Sequence, residues 1–142
     1  MKYNILTGVR STGYLHLGNY IGALAPLINL VDANPGSTPF LFIADYHSLT
    51  CLRDQDRHKE YRQHIALALY SLDLKGAKIF FQSDIPELME LYWIFSSYVN
   101  LGSLYRCHAY KASAEKSKIN LALLGYPVLM AADILGLSLI HI

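Results

Sequence analysis

Two stretches of this 142-residue sequence carry residues whose types and spacing could do chemistry. The first runs Gly8-Val9-Arg10-Ser11-Thr12-Gly13-Tyr14-Leu15-His16-Leu17-Gly18-Asn19-Tyr20-Ile21-Gly22. It joins an apolar run, Tyr3 to Leu6, to an apolar-periodic segment from Tyr20 to Val31, and so reads as strand, glycine-rich turn and helix. A helix start presents unpaired backbone N–H groups and a partial positive charge, which suit an anion. Gly8 and Gly13 let backbone approach a ligand with no Cβ in the way. Gly18 and Gly22, four apart, permit close packing on one helical face. The stretch is a phosphate cradle or a plain strand-to-helix turn, since turns use the same residues. It has neither the spaced glycines of a dinucleotide fingerprint nor the lysine of a P-loop.

The second stretch holds Tyr126, Met130 and Asp133, spaced i, i+4, i+7 and so on one helical face. Val128, Leu129, Ala131, Ala132, Ile134 and Leu135 make the segment apolar on nearly every side. An aspartate there is either an exposed or capping residue, or a buried carboxylate in need of a donor. In the second case an aromatic ring, a thioether and one carboxylate line a pocket suited to an indole, which is apolar and offers a single N–H. Such a site rejects an analogue lacking the donor on the order of 10⁴-fold.

The elements that must position these residues alternate in type. Strands are expected at Tyr3 to Thr7, Phe40 to Ala44 and Lys78 to Gln82, the second wholly apolar as in a strand buried on both faces. Helices are expected over Leu17 to Asp32, from a cap at Asp54 or Asp56 to about Leu72, and from Asp84-Ile85-Pro86-Glu87, a capping-box pattern, to about Leu101 with Gly102 as stop. Leu104 to Tyr110, Leu121 to Leu124 and Pro127 to Leu137 read as further helical segments, and Lys111 to Lys118 as a mobile polar stretch. Alternation predicts an α/β fold: a doubly wound, Rossmann-like parallel sheet with flanking helices, incomplete at about three strands. Ligands in such sheets sit at the carboxyl ends of the strands. That rule brings the Gly8 loop, the loop Asp45-Tyr46-His47-Ser48-Leu49-Thr50 and Gln82-Ser83 to one rim. The helix around Trp93, with Leu88, Leu91, Tyr92 and Tyr98, reads as core before dimer face.

Composition narrows the classes. With 53% hydrophobic and 16% charged residues the chain is a folded domain. A net charge of +1 makes no electrostatic case for nucleic acid. Cys51 and Cys107 form no C-x-x-C pair and read as reduced thiols of a cytoplasmic protein, and the six histidines lack metal-ligand spacing, so no metal site is expected. The start of the chain is too polar for a signal peptide, and no unbroken apolar run reaches the roughly 18 residues of a membrane span.

Leu15-His16-Leu17-Gly18-Asn19 resembles the histidine-glycine signature of class I aminoacyl-tRNA synthetases, and Gly8 to Leu24 is similar to the longer form found in tryptophanyl-tRNA synthetases. Gly125-Tyr126-Pro127-Val128-Leu129-Met130-Ala131-Ala132-Asp133-Ile134-Leu135 resembles that family's Y-P-x-L-M-A-A-D-I-L string. Phe40 to Thr50, Phe81 to Glu87, and Gly102 to Arg106 with Tyr110-Lys111 match three more of its motifs in register. The resemblance implies activation of L-tryptophan with ATP and Mg²⁺ to tryptophanyl-adenylate, then transfer to tRNA(Trp), by a homodimer. It puts Gly8, Arg10, Ser11, Thr12, His16, Gly18 and Asn19 against ATP, with Arg10, His16, Asn19 and Lys111 as catalytic candidates. Leu6, His47, Tyr126, Met130 and Asp133 would hold tryptophan. Arg10-Ser11-Thr12-Gly13 departs from the common Q-P-S-G, adding a cation and losing a proline.

The family's K-M-S-K-S loop and anticodon domain have no counterpart here. The chain therefore reads as the N-terminal part of a catalytic domain over 1–135, with 136–142 a truncated or foreign tail, and is expected to be catalytically poor alone. Two other readings are kept: a tyrosyl-tRNA synthetase relative, and a non-catalytic binding or dimerisation fragment. A nicotinamide-binding fold is disfavoured by the glycine spacing.

Overall fold

Strand propensity and turn chemistry set the first half of the chain. In the computed structural model, which describes residues 4–107, 110–111 and 119–137, three strands form one parallel sheet in the order β1-β2-β3. These are β1 (Asn4–Arg10), β2 (Thr38–Ala44) and β3 (Lys78–Phe81). β1 runs three residues further than expected: Gly8, Val9 and Arg10 pair with Phe42, Ile43 and Ala44, so they belong to the sheet and the turn begins at Ser11. The helices are α1 (Leu17–Asn19), α2 (Ala25–Ala33), α3 (Asp45–Ser48), α4 (Gln55–Tyr70), α5 (Glu87–Tyr98), α6 (Leu101–Arg106) and α7 (Leu121–Gly136). Among the described residues none is long and apolar enough to cross a membrane.

Several boundaries differ from expectation for local reasons. Leu17 to Asp32 is helical, but α1 passes into α2 through a π-turn at Tyr20–Leu24, in which Ala25 N–H reaches back to Tyr20 O. Pro26 follows at once, and a wider turn before it relieves the clash of its ring with the preceding carbonyls. Gly22 has nothing within 4 Å of where a Cβ would stand and Gly18 meets just the ring of His16, so the pair serves no close packing. The loop after β2 opens with the single helical turn α3. Asp54 caps α4, accepting from Arg57 N at 3.0 Å. Asp84 does not cap α5; it accepts from Phe81 N at 2.9 Å and closes the 3₁₀ turn Gln82–Asp84. α5 ends at Tyr98, because Asn100 accepts from Gly102 N at 2.8 Å and starts α6 around the glycine expected to stop it. Pro127 lies inside a continuous α7 in place of the two expected segments. Of the expected tail, Gly136 ends α7 and 138–142 lie outside the described residues, as do Tyr3 and 112–118 of the lysine stretch.

The period of two divides the sheet's faces. Val9, Leu41 and Ile43 point to one side, where Leu24, Leu27 of α2 and Ile65 and Leu69 of α4 complete the core. Each such side chain contributes about 1.5–3 kcal/mol by burial. Gly8 and Phe42 point to the other side, where Phe42 stacks on Phe80 at 6.1 Å and α7 forms the opposite wall. α7 leans on α5: the Tyr92 hydroxyl fills the place a side chain at Gly125 would take. Leu88 is buried as expected of core, but Trp93 (75% exposed) and Tyr98 (85%) stand in solvent. The expectation that this helix is core therefore holds for one face of it alone.

A Cβ at Gly8 would collide with the Phe42 ring, so packing between neighbouring strands demands a glycine here. Gly8→Ala is expected to destabilise the fold by about 1–3 kcal/mol, as overpacking does. Urea unfolding measures it, and an unchanged midpoint would show that the ring yields freely.

Candidate functional site

At the carboxyl end of the sheet the chain reverses three times, and the reversals after β2 and β3 send His47 and Gln82 to α7. Ser11, first in the turn after β1, is fully buried with its Oγ 2.8 Å from Ser48 Oγ, while the Ser48 hydroxyl donates to Ala44 O at 3.0 Å. Ser11 thus joins the turn to α3, with its hydroxyl hydrogen turned to Ser48. Tyr14, which carries no motif or periodic signal, donates its phenol hydrogen to Glu60 of α4 and meets Tyr61 and His64 edge-on. The Glu60 carboxylate holds that proton and pushes the Tyr14 phenol above its ordinary value. His16 and Asn19 cap α1 reciprocally: Gly18 N donates to His16 Nδ1 and His16 N to Asn19 Oδ1, both at 3.1 Å. His16 and Thr12 are exposed on the rim.

The polar centre lies between α3, the 3₁₀ turn and α7. Asp133 is buried, as are His47 and Gln82. His47 Nε2 donates to Asp133 Oδ2 at 2.9 Å, and Gln82 Nε2 donates to Asp133 Oδ1 at 2.7 Å. The Gln82 amide turns its other end to α3, where Oε1 accepts from His47 N at 3.4 Å. The exposed or capping alternative for Asp133 is thereby excluded. A carboxylate has about four acceptor positions, so one bond to each oxygen leaves capacity for another donor.

That further donor would come from a cavity of about 340 Å³, within the range of small-molecule sites. Gly8, Phe42 and Ala44 form its sheet wall; Tyr126, Met130, Asp133 and Ile134 form its α7 wall; His47 and Arg10 complete the lining. His47 and Tyr126 meet edge-on at 6.3 Å. A second cavity of similar size, about 380 Å³, opens between α5, α6 and α7, but Phe95, Val99, Leu104, Val128 and their neighbours give it no charged group. Chemistry therefore favours the first.

The structure brings together His47, Tyr126, Met130 and Asp133, four of the five residues expected around an indole. Leu6 is not in the lining; Gly8, two residues on and hence on the same face of β1, takes that place. Arg10, expected against phosphate, is a wall residue of the cavity. Lys111 is exposed and outside the lining. Gln82 is the partner of Asp133 that sequence reasoning misses; its one signal is an amide next to Ser83 on the predicted rim. Among the described residues no group of three His, Cys, Asp or Glu could hold a metal ion.

Burial pushes the Tyr126 phenol above its ordinary value of 10.0, while the Arg10 charge pulls the other way. The folded chain thus holds this proton more tightly than the unfolded chain. Its contribution is fully present below the unfolded value near 10 and is lost as pH rises toward the folded one. Tyr126→Phe is expected to flatten the decline in stability above about pH 10, read as urea midpoints across the alkaline range. An identical decline in both proteins would place Tyr126 in contact with solvent.

The model of the class I tRNA synthetases (W and Y) matches residues 1–139. The tryptophan–tRNA ligase of Campylobacter jejuni strain RM1221 is 44% identical over 134 residues, 92% of this chain and 41% of that protein. The enzyme of the same name from Fusobacterium nucleatum is 45% identical over 133 residues, 92% of this chain and 40% of that one. A crystal structure of the Campylobacter jejuni tryptophanyl-tRNA synthetase complexed with ADP and tryptophan superposes with a TM-score of 0.79 at 41% identity, covering 92% of this chain and 41% of that one. The Mycoplasma pneumoniae tryptophanyl-tRNA synthetase gives 0.80 at 36% identity, over 95% and 39%. The chain thus spans about two-fifths of the length of these relatives.

Proposed function

The chain belongs to the class I tRNA synthetases of the tryptophan and tyrosine group, and on that premise we propose that its cavity is the tryptophan site of a tryptophan–tRNA ligase. The observation that carries the reading is the buried Asp133 carboxylate, held by His47 and Gln82 at the end of an otherwise apolar cavity. The indole N–H donates to Asp133, and Phe42, Met130 and Tyr126 enclose the ring. Arg10 forms no ion pair among the described residues, and its charge is felt at Tyr126. It steadies the anionic end of the amino acid or the phosphate beside it. ATP lies along the rim against Thr12, His16, Gly18 and Asn19, with Ser11 holding the turn and Lys111 outside it.

The reaction supported by this arrangement is attack of the tryptophan carboxylate on the α-phosphorus of ATP. A carboxylate O–P bond forms, the bond to the bridging oxygen breaks, and pyrophosphate leaves with its electron pair. Mg²⁺ enters as part of the nucleotide substrate, which keeps phosphate and water as its ligands. The side chains supply position and charge and form no bond to the substrate. Transfer to tRNA(Trp) by a homodimer in the cytoplasm is the role of the whole protein; the exposed Trp93, Ile94 and Tyr98 of α5 support the dimer.

Calorimetric titration of this chain with L-tryptophan, and with L-tyrosine in parallel, tests the site. Tryptophan binding with no matching heat from tyrosine is expected; the reverse would assign the cavity to a tyrosine enzyme. Asp133→Asn should weaken the preference for tryptophan about 10- to 100-fold, the worth of one hydrogen bond to a charged acceptor. An unchanged preference would remove Asp133 from recognition.

A further inference from the structure

A second buried carboxylate lies behind the first and does not touch the cavity. Asp45 opens α3 and is 2% exposed. Its Oδ1 accepts from Ser83 N at 3.0 Å and Tyr46 N at 3.1 Å, and its Oδ2 accepts from Ser83 Oγ at 2.6 Å. Arg62 of α4 stands against it with Nε 3.0 Å from Oδ2, an ion pair whose N–H is not aligned on the oxygen. The same guanidinium donates from Nη2 to Ser83 Oγ at 3.3 Å and lies over the Phe81 ring at 4.4 Å. His58 Nε2 donates to Asp45 O at 3.2 Å.

The carboxylate and its serine partner each sit one or two residues from a partner of Asp133. Asp45 precedes His47 by two, and Ser83 follows Gln82. The direct link between His47 and Gln82 themselves is the His47 N to Gln82 Oε1 contact of 3.4 Å, at the weak end of hydrogen bonding. The Asp45–Ser83 pair, by contrast, makes two short bonds, one to a main-chain N–H. The distance between α3 and the 3₁₀ turn is therefore set by Asp45, Ser83 and Arg62, and His47 and Gln82 inherit it. Arginine suits this position because one planar group meets a carboxylate, a hydroxyl and a ring face at once, which an ammonium cannot.

We infer that Arg62, with Asp45 and Ser83, is a positioning residue for the ring N–H acceptor: from outside the cavity it sets the chain's selectivity for an indole. The inference rests on the tryptophan reading of the cavity. It acts through geometry, so the variants should change selectivity and not merely stability.

The experiment compares L-tryptophan with β-(3-benzothienyl)-L-alanine, which has sulfur in place of the ring N–H, by calorimetry on the full 142-residue chain, with a melting curve for each protein. The unaltered chain should prefer tryptophan. Arg62→Lys, which keeps the charge and loses the fork, should reduce that preference about five- to tenfold, through weaker tryptophan binding with the sulfur analogue unchanged. Ser83→Ala, which removes one hydroxyl and no charge, should act in the same direction and serves if Arg62→Lys does not fold. A lowered melting temperature with an unchanged preference in both variants would make the cluster purely structural and overturn the inference alone. Equal affinity of the unaltered chain for both ligands would overturn the cavity reading, and the inference with it.

Discussion

The interaction on which the site depends is the grip of two donors, the His47 ring and the Gln82 amide, on the Asp133 carboxylate. A carboxylate buried without partners costs several kcal/mol, and removing one partner of a buried charge is among the more destabilising single changes a fold can suffer. His47 and Gln82 come from different reversals of the chain, one after β2 and one after β3, while Asp133 comes from α7. Satisfying the carboxylate therefore requires all three segments to be docked together. Apolar packing of α7 can hold the helix against the sheet, but it fixes neither rotation nor sliding to a fraction of an ångström; two directed hydrogen bonds do. At the other end of the contact, Asn120 caps α7 through Leu123 N and donates to Thr50 O at 3.1 Å, tying the start of that helix to the segment after α3.

The two faces of the sheet divide the work. One is closed by α2 and α4 around Leu41 and Ile43 and supplies stability. The other is left partly unfilled, and the unfilled part is the cavity. Gly8 shows how finely this is balanced: its missing side chain admits the Phe42 ring, which becomes cavity wall instead of standing in the cavity. A fold that filled both faces with aliphatic side chains would be more stable and would have nowhere to put a ligand.

Much of this is legible in the sequence, and what is not has physical causes. The three strands and their parallel order follow from apolar runs alternating with helical periodicity, a signal that survives any error in boundaries. The i, i+4, i+7 spacing of Tyr126, Met130 and Asp133 places three wall residues together because helix geometry is rigid. The cavity lining takes Gly8, two residues past Leu6, because the end of β1 is set by pairing with β2, a non-local fact, and pairing carries the strand on to Arg10. Asp84 has the spacing of a forward cap, but spacing cannot tell which of two nearby N–H groups a carboxylate will take. That Ser11 is tied to Ser48, 37 residues on, is likewise a tertiary fact with no local signal. Gln82 and the Asp45–Arg62 pair, 17 apart in sequence, carry no periodic signature; their partners are chosen by tertiary packing. The exposed Trp93 reverses a rule that is itself one-way: large apolar residues favour interiors, but composition does not say which of them reach one.

The polar end of the cavity also bears on which aromatic amino acid it suits. Both donors nearest the carboxylate, His47 Nε2 and Gln82 Nε2, are already committed to Asp133. The His47 N–H is thus spent, whereas the Gln82 amide keeps a second N–H but lies outside the cavity lining, so at this point the wall offers a ligand the acceptor capacity of Asp133. An indole N–H donates and accepts nothing, so it is fully satisfied there. A phenol hydroxyl could donate to the same oxygen, but it would find no donor in His47, and lone pairs left unpaired there would cost about 1–3 kcal/mol. That cost alone corresponds to roughly five- to 150-fold in affinity before ring size enters. On the proposed reading, discrimination of this kind needs no steric gate; it follows from spending the His47 donor on holding the carboxylate still.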